Sequence, residues 1–180
     1  MHAQRLFLIA LLASWSGRTL AQPAVPKPSR EQQKLQALVG HWKYEGSVKE
    51  TALSGAAHWT GPDHTFELFP GGLFVVHRWE KDKNDRGDLE SGIEIMAYDT
   101  TTHMYVAHSY TSLGDVDVFH FVWVGDTLKF TDDTLRYKGR KGLERCAVVV
   151  ARTTQTLDCR VSLDGKGWVP ESHGVWTRLP

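Results

Sequence analysis

The sequence predicts an all-β protein: an antiparallel up-and-down β-barrel of about ten strands, with one short helix before it. Short runs of alternating apolar and polar residues recur every eight to twelve residues and are separated by turn residues, which is typical of barrels and sandwiches. Sixteen glycines and 11% aromatic residues suit a strand-rich chain with many turns. Because neighbouring runs form a meander, a closed up-and-down barrel is favoured over a sandwich.

Length and charge restrict the classes of partner. The chain has 180 residues, which suits one domain with a sizeable core. Lysine plus arginine and aspartate plus glutamate number 21 each, and no basic tract or acidic tail is present. This balance argues against nucleic acid and anionic membrane surfaces as partners.

The N-terminus predicts export. Residues 1–21 have a basic start at Arg5, an apolar run too short to span a bilayer, and a small residue at Ala21. These features are typical of a signal peptide, with an N-terminal membrane anchor as the alternative. We expect a periplasmic or secreted chain without an integral membrane segment after signal removal. A proline-rich linker then covers residues 22–29 and the barrel domain residues 30–180.

The first elements after the linker are a helix and three strands. Ser29 can cap a helix that ends near Leu38. Alternation in the three following runs predicts inward side chains on each strand. Those that we place on the cavity wall are Tyr44, Phe66 and His77.

The stretch from residue 93 to 132 predicts a four-stranded meander. Two-residue hairpin loops at Leu113-Gly114 and Gly125-Asp126 would fix its registers. The predicted pairs are Tyr110 with Asp117, His108 with Phe119, Phe121 with Phe130, and Trp123 with Leu128. The predicted core face comprises Ile93, Ile95, Ala97, Met104, Val106, Phe119, Phe121, Trp123, Leu128 and Phe130.

Three polar residues share that predicted core face. In this register His108, Tyr110 and Asp117 meet near one end of the barrel, and a carboxylate beside a histidine or tyrosine is an acid–base arrangement. We therefore treat the three as candidate catalytic residues. The structural alternative is that they satisfy one another, or contact solvent, at the barrel mouth.

The two cysteines fall in neighbouring strands. A two-residue turn at Arg152-Thr153 would place Cys146 directly opposite Cys159, and disulfides persist in exported proteins. A cross-strand disulfide and a pair of buried thiols both fit this pattern.

Several segments resemble a known family. Gly40-His41-Trp42 at the mouth of the first strand is similar to the entry signature of lipocalin-like (calycin) barrels. Three further segments resemble a bacterial, often exported, lipocalin-like family of unknown function: Pro70-Gly71-Gly72-Leu73-Phe74, Met96-Ala97-Tyr98-Asp99 and Ser162-Leu163-Asp164-Gly165-Lys166-Gly167-Trp168. The resemblance implies that Arg178, in the last strand, packs over Trp42 as a structural cation-π pair.

No nucleotide loop, zinc motif or serine-hydrolase elbow is present in the sequence. We therefore expect a barrel that binds a small apolar or amphipathic molecule, with Tyr44, Phe66, His77, Phe119, Phe121 and Trp123 as ligand-binding residues and no cofactor. The alternative is a cofactor-free isomerase, cyclase or lyase that uses His108, Tyr110 and Asp117. A lesser alternative is haem or metal binding, through the inward-parity histidines (His58, His64, His77, His108) or His173 near the last strand. The oligomeric state is left open.

Overall fold

The fold is a closed barrel of ten antiparallel strands, which confirms the predicted fold class. The computed structural model describes residues 26–132 and 135–180. The predicted signal peptide and the first part of the linker lie outside the described residues. The elements in chain order are α1 (Arg30–Lys34), a 3-10 turn (Leu35–Ala37), β1 (Gly40–Val48), β2 (Ala57–Leu68), β3 (Phe74–Asn84), β4 (Leu89–Asp99), β5 (Met104–Thr111), β6 (Val116–Val124), β7 (Thr127–Asp132), β8 (Arg136–Tyr137), β9 (Arg140–Lys141), β10 (Leu143–Val150), β11 (Thr154–Ser162) and β12 (Val169–Arg178).

The strand order in the barrel follows the order in the sequence, except that β8 and β9 are not part of the barrel. Strands β1 to β7 pair in sequence, β7 pairs with β10, and β12 closes the barrel against β1. The short strands β8 and β9 pair only with each other, as a two-stranded hairpin between β7 and β10. Every barrel edge is therefore paired, which removes the exposed strand edges that promote aggregation.

The helix lies across one end of the barrel. Ser29 Oγ accepts a hydrogen bond from the Gln32 N–H, and Gln32 Oε1 accepts one from the Ser29 N–H, so the helix starts with a complete capping box. Leu35 and Leu38 are each 1% exposed and belong to the barrel core. The Tyr105 hydroxyl also donates to the Glu31 carbonyl at 2.9 Å. Residues 30–38 thus close this end of the barrel, and the buried side chains come from the 3-10 turn and Leu38 rather than from α1 itself.

Trp42 and Arg178 pack together beside the helix. Trp42 is 0% exposed, and its Nε1–H donates to the Leu38 carbonyl at 3.0 Å. The Arg178 guanidinium lies 4.1 Å from the centroid of the Trp42 ring and donates to the carbonyl oxygens of Val39 and Arg152. This arginine therefore joins the start of β1 to the β10–β11 turn.

The predicted register between β5 and β6 is wrong by one residue. In the structure His108 pairs with Val118, and Tyr110 pairs with Val116. The connection has three residues between the pairing of Thr111 and Asp115, rather than two, and Gly114 supplies its positive φ of 93°. This is a common hairpin loop with a left-handed residue at its end.

A shift of one residue reverses the inward faces of β4 and β5. The residues that face the interior there are Glu94, Met96, Tyr98, Tyr105, Ala107 and Ser109, whereas Ile95 is exposed. The predicted registers and the inward set of β6 and β7 are correct, because the Gly125-Asp126 connection does have two residues.

Cys146 and Cys159 are directly opposed and form a disulfide, with a Cα–Cα distance of 4.2 Å. The two-residue turn at Arg152-Thr153 sets this register, since Val150 pairs with Gln155. Within residues 26–132 and 135–180, no helix combines the length and the apolar character that crossing a bilayer requires.

Candidate functional site

The barrel interior contains a cavity of about 200 Å³ that is open on one side. Leu38 from the N-terminal segment lies at its closed end, and the strands supply the remaining wall. Most of these side chains are apolar or aromatic, and His77, Glu94 and Gln155 are the polar exceptions other than tryptophan. The wall comprises Leu38, Phe66, His77, Trp79, Glu94, Met96, Ala107, Phe119, Phe121, Leu128, Phe130, Val148, Gln155, Leu157 and Trp176.

Aromatic rings form a continuous part of this wall. Phe119 and Phe130 lie 5.4 Å apart across the β6–β7 pair, and Phe121 stacks on Tyr105 at 5.5 Å. On β2 and β3, Phe66 stacks on the His77 imidazole with their ring centroids 3.8 Å apart. Aromatic surfaces with a few fixed polar groups are typical of small-molecule pockets.

A chain of four titratable side chains leads into the cavity from the buried interface of β2, β3 and β4. Asp82 accepts from His64 Nε2 at 3.0 and 3.1 Å, and His64 Nδ1 lies 3.0 Å from His77 Nε2. His77 Nδ1 in turn lies 3.6 Å from a carboxylate oxygen of Glu94. The order Asp82, His64, His77, Glu94 therefore ends on two residues of the cavity wall.

A tryptophan fixes which ring nitrogens carry protons. Trp176 Nε1–H donates to His64 Nδ1 at 3.2 Å, so this nitrogen is an acceptor and the His64 proton lies on Nε2, facing Asp82. A neutral His77 that shares this acceptor donates to it from Nε2, and its Nδ1 then faces Glu94. The contact between His77 Nδ1 and the Glu94 carboxylate therefore needs one proton between the two acceptors.

Burial disfavours the charged form of His77. The apolar surroundings lower the pKa of His77, and the nearby Glu94 carboxylate opposes that effect without cancelling it. Neighbouring Tyr44 stays neutral, because burial, followed by the nearby Asp82, Glu171 and Glu90 carboxylates, raises its pKa to about 12.

Gly61 makes the close approach of His64 and Asp82 feasible. A methyl group at Gly61 would overlap both Asp82 Oδ1 and His64 Nε2. Gly92 leaves room in the same way for the ring of Trp79. Trp79 can then donate from Nε1 to Glu90 at 3.1 Å while its ring lines the cavity.

Among the described residues that line the cavity, Gln155 is the one with an unused buried donor. Its side chain is 3% exposed, and its Nε2 has no hydrogen-bond partner among the described residues. Gln155 pairs with Trp176 on β12 and lies on the inward face of β11. Buried donors without partners are rare and costly, so this one requires an explanation.

Comparison with models of protein families assigns the chain to a family. Residues 27–141 match the model of the family described as "Protein of unknown function (DUF1579)". The chain belongs to this family. No curated protein matches the chain.

Two solved structures show the same fold. The first, titled "Crystal Structure of Rv2717c from M. tuberculosis", has 12% sequence identity and a TM-score of 0.57, covering 86% of this chain and 100% of that chain. The second is the S-type phycobiliprotein lyase CPES from Guillardia theta, with 10% identity and a TM-score of 0.54, covering 83% of this chain and 93% of that chain. At these identities the likeness concerns the barrel alone.

The family assignment agrees with the resemblance to a family of unknown function. Bacterial origin and export remain predictions. The family description states no chemistry.

The three predicted catalytic residues do not come together. His108 and Tyr110 lie on the outer face of β5, and Tyr110 is 46% exposed. Asp117 has inward parity but is exposed near the barrel end, opposite Ser109. The prediction of a shared inward His-Tyr-Asp set was wrong, because it rested on the two-residue loop at Leu113-Gly114.

The predicted binding residues divide into two groups. Phe66, His77, Phe119 and Phe121 line the cavity. Tyr44 lies just beyond it, with its ring 4.5 Å from Trp176, and Trp123 packs 6.1 Å from Tyr105 within the core. Their roles toward a ligand remain predictions.

Glu94, Trp176 and Gln155 were missed by sequence reasoning. Glu94 was assigned to the outer face together with the wrong β4 register, and a single glutamine in a polar turn region carries no motif. Gln155 pairs with Trp176 on β12 and with Val150 on β10. The β11–β12 register would have indicated its inward position, but the sequence alone does not give that register.

Of the histidines proposed for metal or haem binding, His64 and His77 meet in the buried series described above, whereas His108 is exposed on the outer face of β5. His58 is exposed beside Glu45, and His173 is exposed and paired with Asp158 at 2.8 Å. Within the described ranges, the sole group with metal-ligand geometry is Glu144 with Cys146 and Cys159. Both of its sulfur atoms are in the disulfide, so neither is available as a thiolate ligand.

Proposed function

We propose that this protein binds a small apolar or amphipathic molecule inside its barrel, in the periplasmic or extracellular space that its N-terminus predicts. The observation that supports this most directly is the aromatic-lined cavity of about 200 Å³. An apolar cavity of about 150 Å³ in another protein is large enough for benzene, so this one has room for a substituted ring. The size argues against a large ligand that is wholly enclosed.

The composition of the wall supports an amphipathic ligand over a purely apolar one. Phe119, Phe121 and Phe130 offer apolar contact, while Glu94 and Gln155 are fixed polar groups on the same wall. Removal of apolar ligand surface from water contributes about 25 cal/mol per Å², and the polar groups then set orientation.

The test is binding of toluene by ligand-observed NMR to two matched variants. Ala107 lines the cavity, so Ala107→Phe places a ring in it and should weaken toluene binding by more than about tenfold, or 1.4 kcal/mol. Ala147 pairs with Lys129 on the outer face of β10, so Ala147→Phe adds the same ring outside and should leave binding unchanged. Equal toluene binding by both variants would contradict a ligand site in the barrel.

The four-residue chain favours a second candidate function, which is acid–base chemistry on the bound molecule. His77 and Glu94 are on the cavity wall and can exchange one proton, while His64 and Asp82 hold the His77 ring in one tautomer. This relocates the predicted isomerase, cyclase or lyase alternative from His108, Tyr110 and Asp117 to a buried set. One of the two similar structures is a lyase by name, so a barrel of this shape is compatible with an enzyme.

Glu94→Gln tests this second function. The substitution keeps the shape of the side chain but removes its ability to accept a proton. In D₂O, exchange of the methyl protons of acetophenone should be catalysed by the wild-type protein and slowed by roughly 10²–10⁴ in the variant. Glu67→Gln, at an exposed carboxylate of β2, is the control. Similar exchange rates for both variants would exclude Glu94 as the base.

A further inference from the structure

We propose that the ligand carries a neutral oxygen acceptor, such as a ketone, ester, amide or ether oxygen, that accepts a hydrogen bond from Gln155 Nε2. This inference rests on the proposed ligand site in the barrel and states the chemistry that the site selects. The proposal is based on one observation. The cavity wall contains a deeply buried amide donor that has no partner among the described residues.

The position of Gln155 explains why a ligand should supply the partner. Its neighbour Trp176 uses its indole N–H on His64, so the ring nitrogen is already occupied. His77 Nε2 is likewise directed at His64. Among the polar groups that the described residues place on the cavity wall, the Gln155 amide therefore holds the free donor, and an acceptor on the ligand would satisfy it.

The charges on the wall indicate that the acceptor is neutral. Among the described residues that line the cavity, Glu94 is the carboxylate and no lysine or arginine is present. An anionic ligand would lose its hydration without gaining a cationic partner, and it would face the Glu94 carboxylate. Carboxylates such as fatty acids are therefore disfavoured, while neutral carbonyl compounds lose less on entering.

The experiment uses three probes of similar shape: cumene, acetophenone and benzoate. Cumene lacks an oxygen, acetophenone has a neutral carbonyl oxygen, and benzoate is an anion. Dissociation constants are measured for the wild-type protein, Gln155→Met and Thr156→Val. Met keeps the length of the side chain without the amide, and Thr156 is the next residue on β11, where it pairs with Val149 and Val175.

We expect the ratio of the cumene to the acetophenone dissociation constant to fall about 3- to 10-fold in Gln155→Met, the effect of one net hydrogen bond. Thr156→Val should leave this ratio unchanged. Benzoate should bind the wild-type protein at least about tenfold more weakly than acetophenone. Because each variant is compared across probes, the difference in probe hydrophobicity cancels.

A second measurement needs no variant. The side-chain amide of Gln155 in ¹⁵N-labelled wild-type protein should shift on addition of acetophenone and much less on addition of cumene. If both probes bind but the ratio and the amide signal are unaffected, the inference is overturned while the proposed binding function stands. If benzoate binds more tightly than acetophenone, the neutral acceptor is overturned. If neither cumene nor acetophenone binds, the binding function and the inference both fall.

Discussion

Trp42→Ala should lower the free energy of unfolding by about 3–5 kcal/mol, the usual cost of replacing a fully buried aromatic residue. The indole is 0% exposed, its Nε1–H is bonded to Leu38, and its face carries the Arg178 guanidinium. Truncation removes all three interactions and leaves a cavity beneath the helix. In a domain of this size the melting temperature should fall by roughly 6–20 °C.

Trp168→Ala is the matched control. Trp168 also lies under an arginine, with Arg145 at 4.0 Å from its ring centroid, but it is only partly buried. Its replacement should cost less, about 1–2 kcal/mol, because it removes an exposed cation-π pair of about 0.5–1 kcal/mol and a hydrogen bond from Nε1 to the Gly165 carbonyl of about 0.5–1.5 kcal/mol. The measurement is urea denaturation of both variants, and equal costs would show that Trp42 does not hold the closed end of the barrel.

Glu144→Gln should raise the free energy of unfolding at pH 8 by about 2–3 kcal/mol more than at pH 4.5. A pKa difference of one unit between the folded and unfolded states corresponds to about 1.4 kcal/mol, and the sum is reduced because the side chain is partly exposed. Burial, then the Glu171 and Asp132 carboxylates, raises the pKa of Glu144 to about 7. Asp132 is its direct partner on β7. The folded protein therefore retains a proton that the unfolded chain loses near its ordinary pKa of 4.5.

The sign follows from this proton. Stability from Glu144 is fully present below about pH 4.5 and is lost as the pH rises through about 7, because ionisation then opposes folding. Gln resembles the protonated acid at every pH, so the variant avoids this loss. The measurement is the difference in unfolding free energy between wild type and variant from pH 4.5 to 8.

Asp117→Asn is the comparison for this pH profile. Burial, then Asp115 and Asp132, also raises the pKa of Asp117, but the side chain is largely exposed. Its difference curve should have the same sign and a smaller amplitude. A difference curve for Glu144→Gln that is flat, or that falls with rising pH, would contradict a protonated Glu144 in the folded state.

The sequence by itself determined the fold class. Alternation along the strands predicted an antiparallel barrel because each strand needs one apolar face against a single core. The two-residue turn predicted at Gly125-Asp126 also gave the correct register, and the turn at Arg152-Thr153 is the alternative that forms. These turns fix pairing through residues that are close in sequence, so local chemistry was sufficient.

Only the tertiary structure decided the site. On β4 and β5 both faces carry apolar residues, so alternation could not reveal that a three-residue loop at Ser112–Gly114 turns His108 outward and brings Glu94 inward. The series of side chains Asp82, His64, His77 and Glu94 joins three strands. Gln155 becomes part of the cavity wall only because β12 closes the barrel. Contacts between residues far apart in sequence depend on every intervening register, and an error of one residue in any of them moves a side chain to the opposite face.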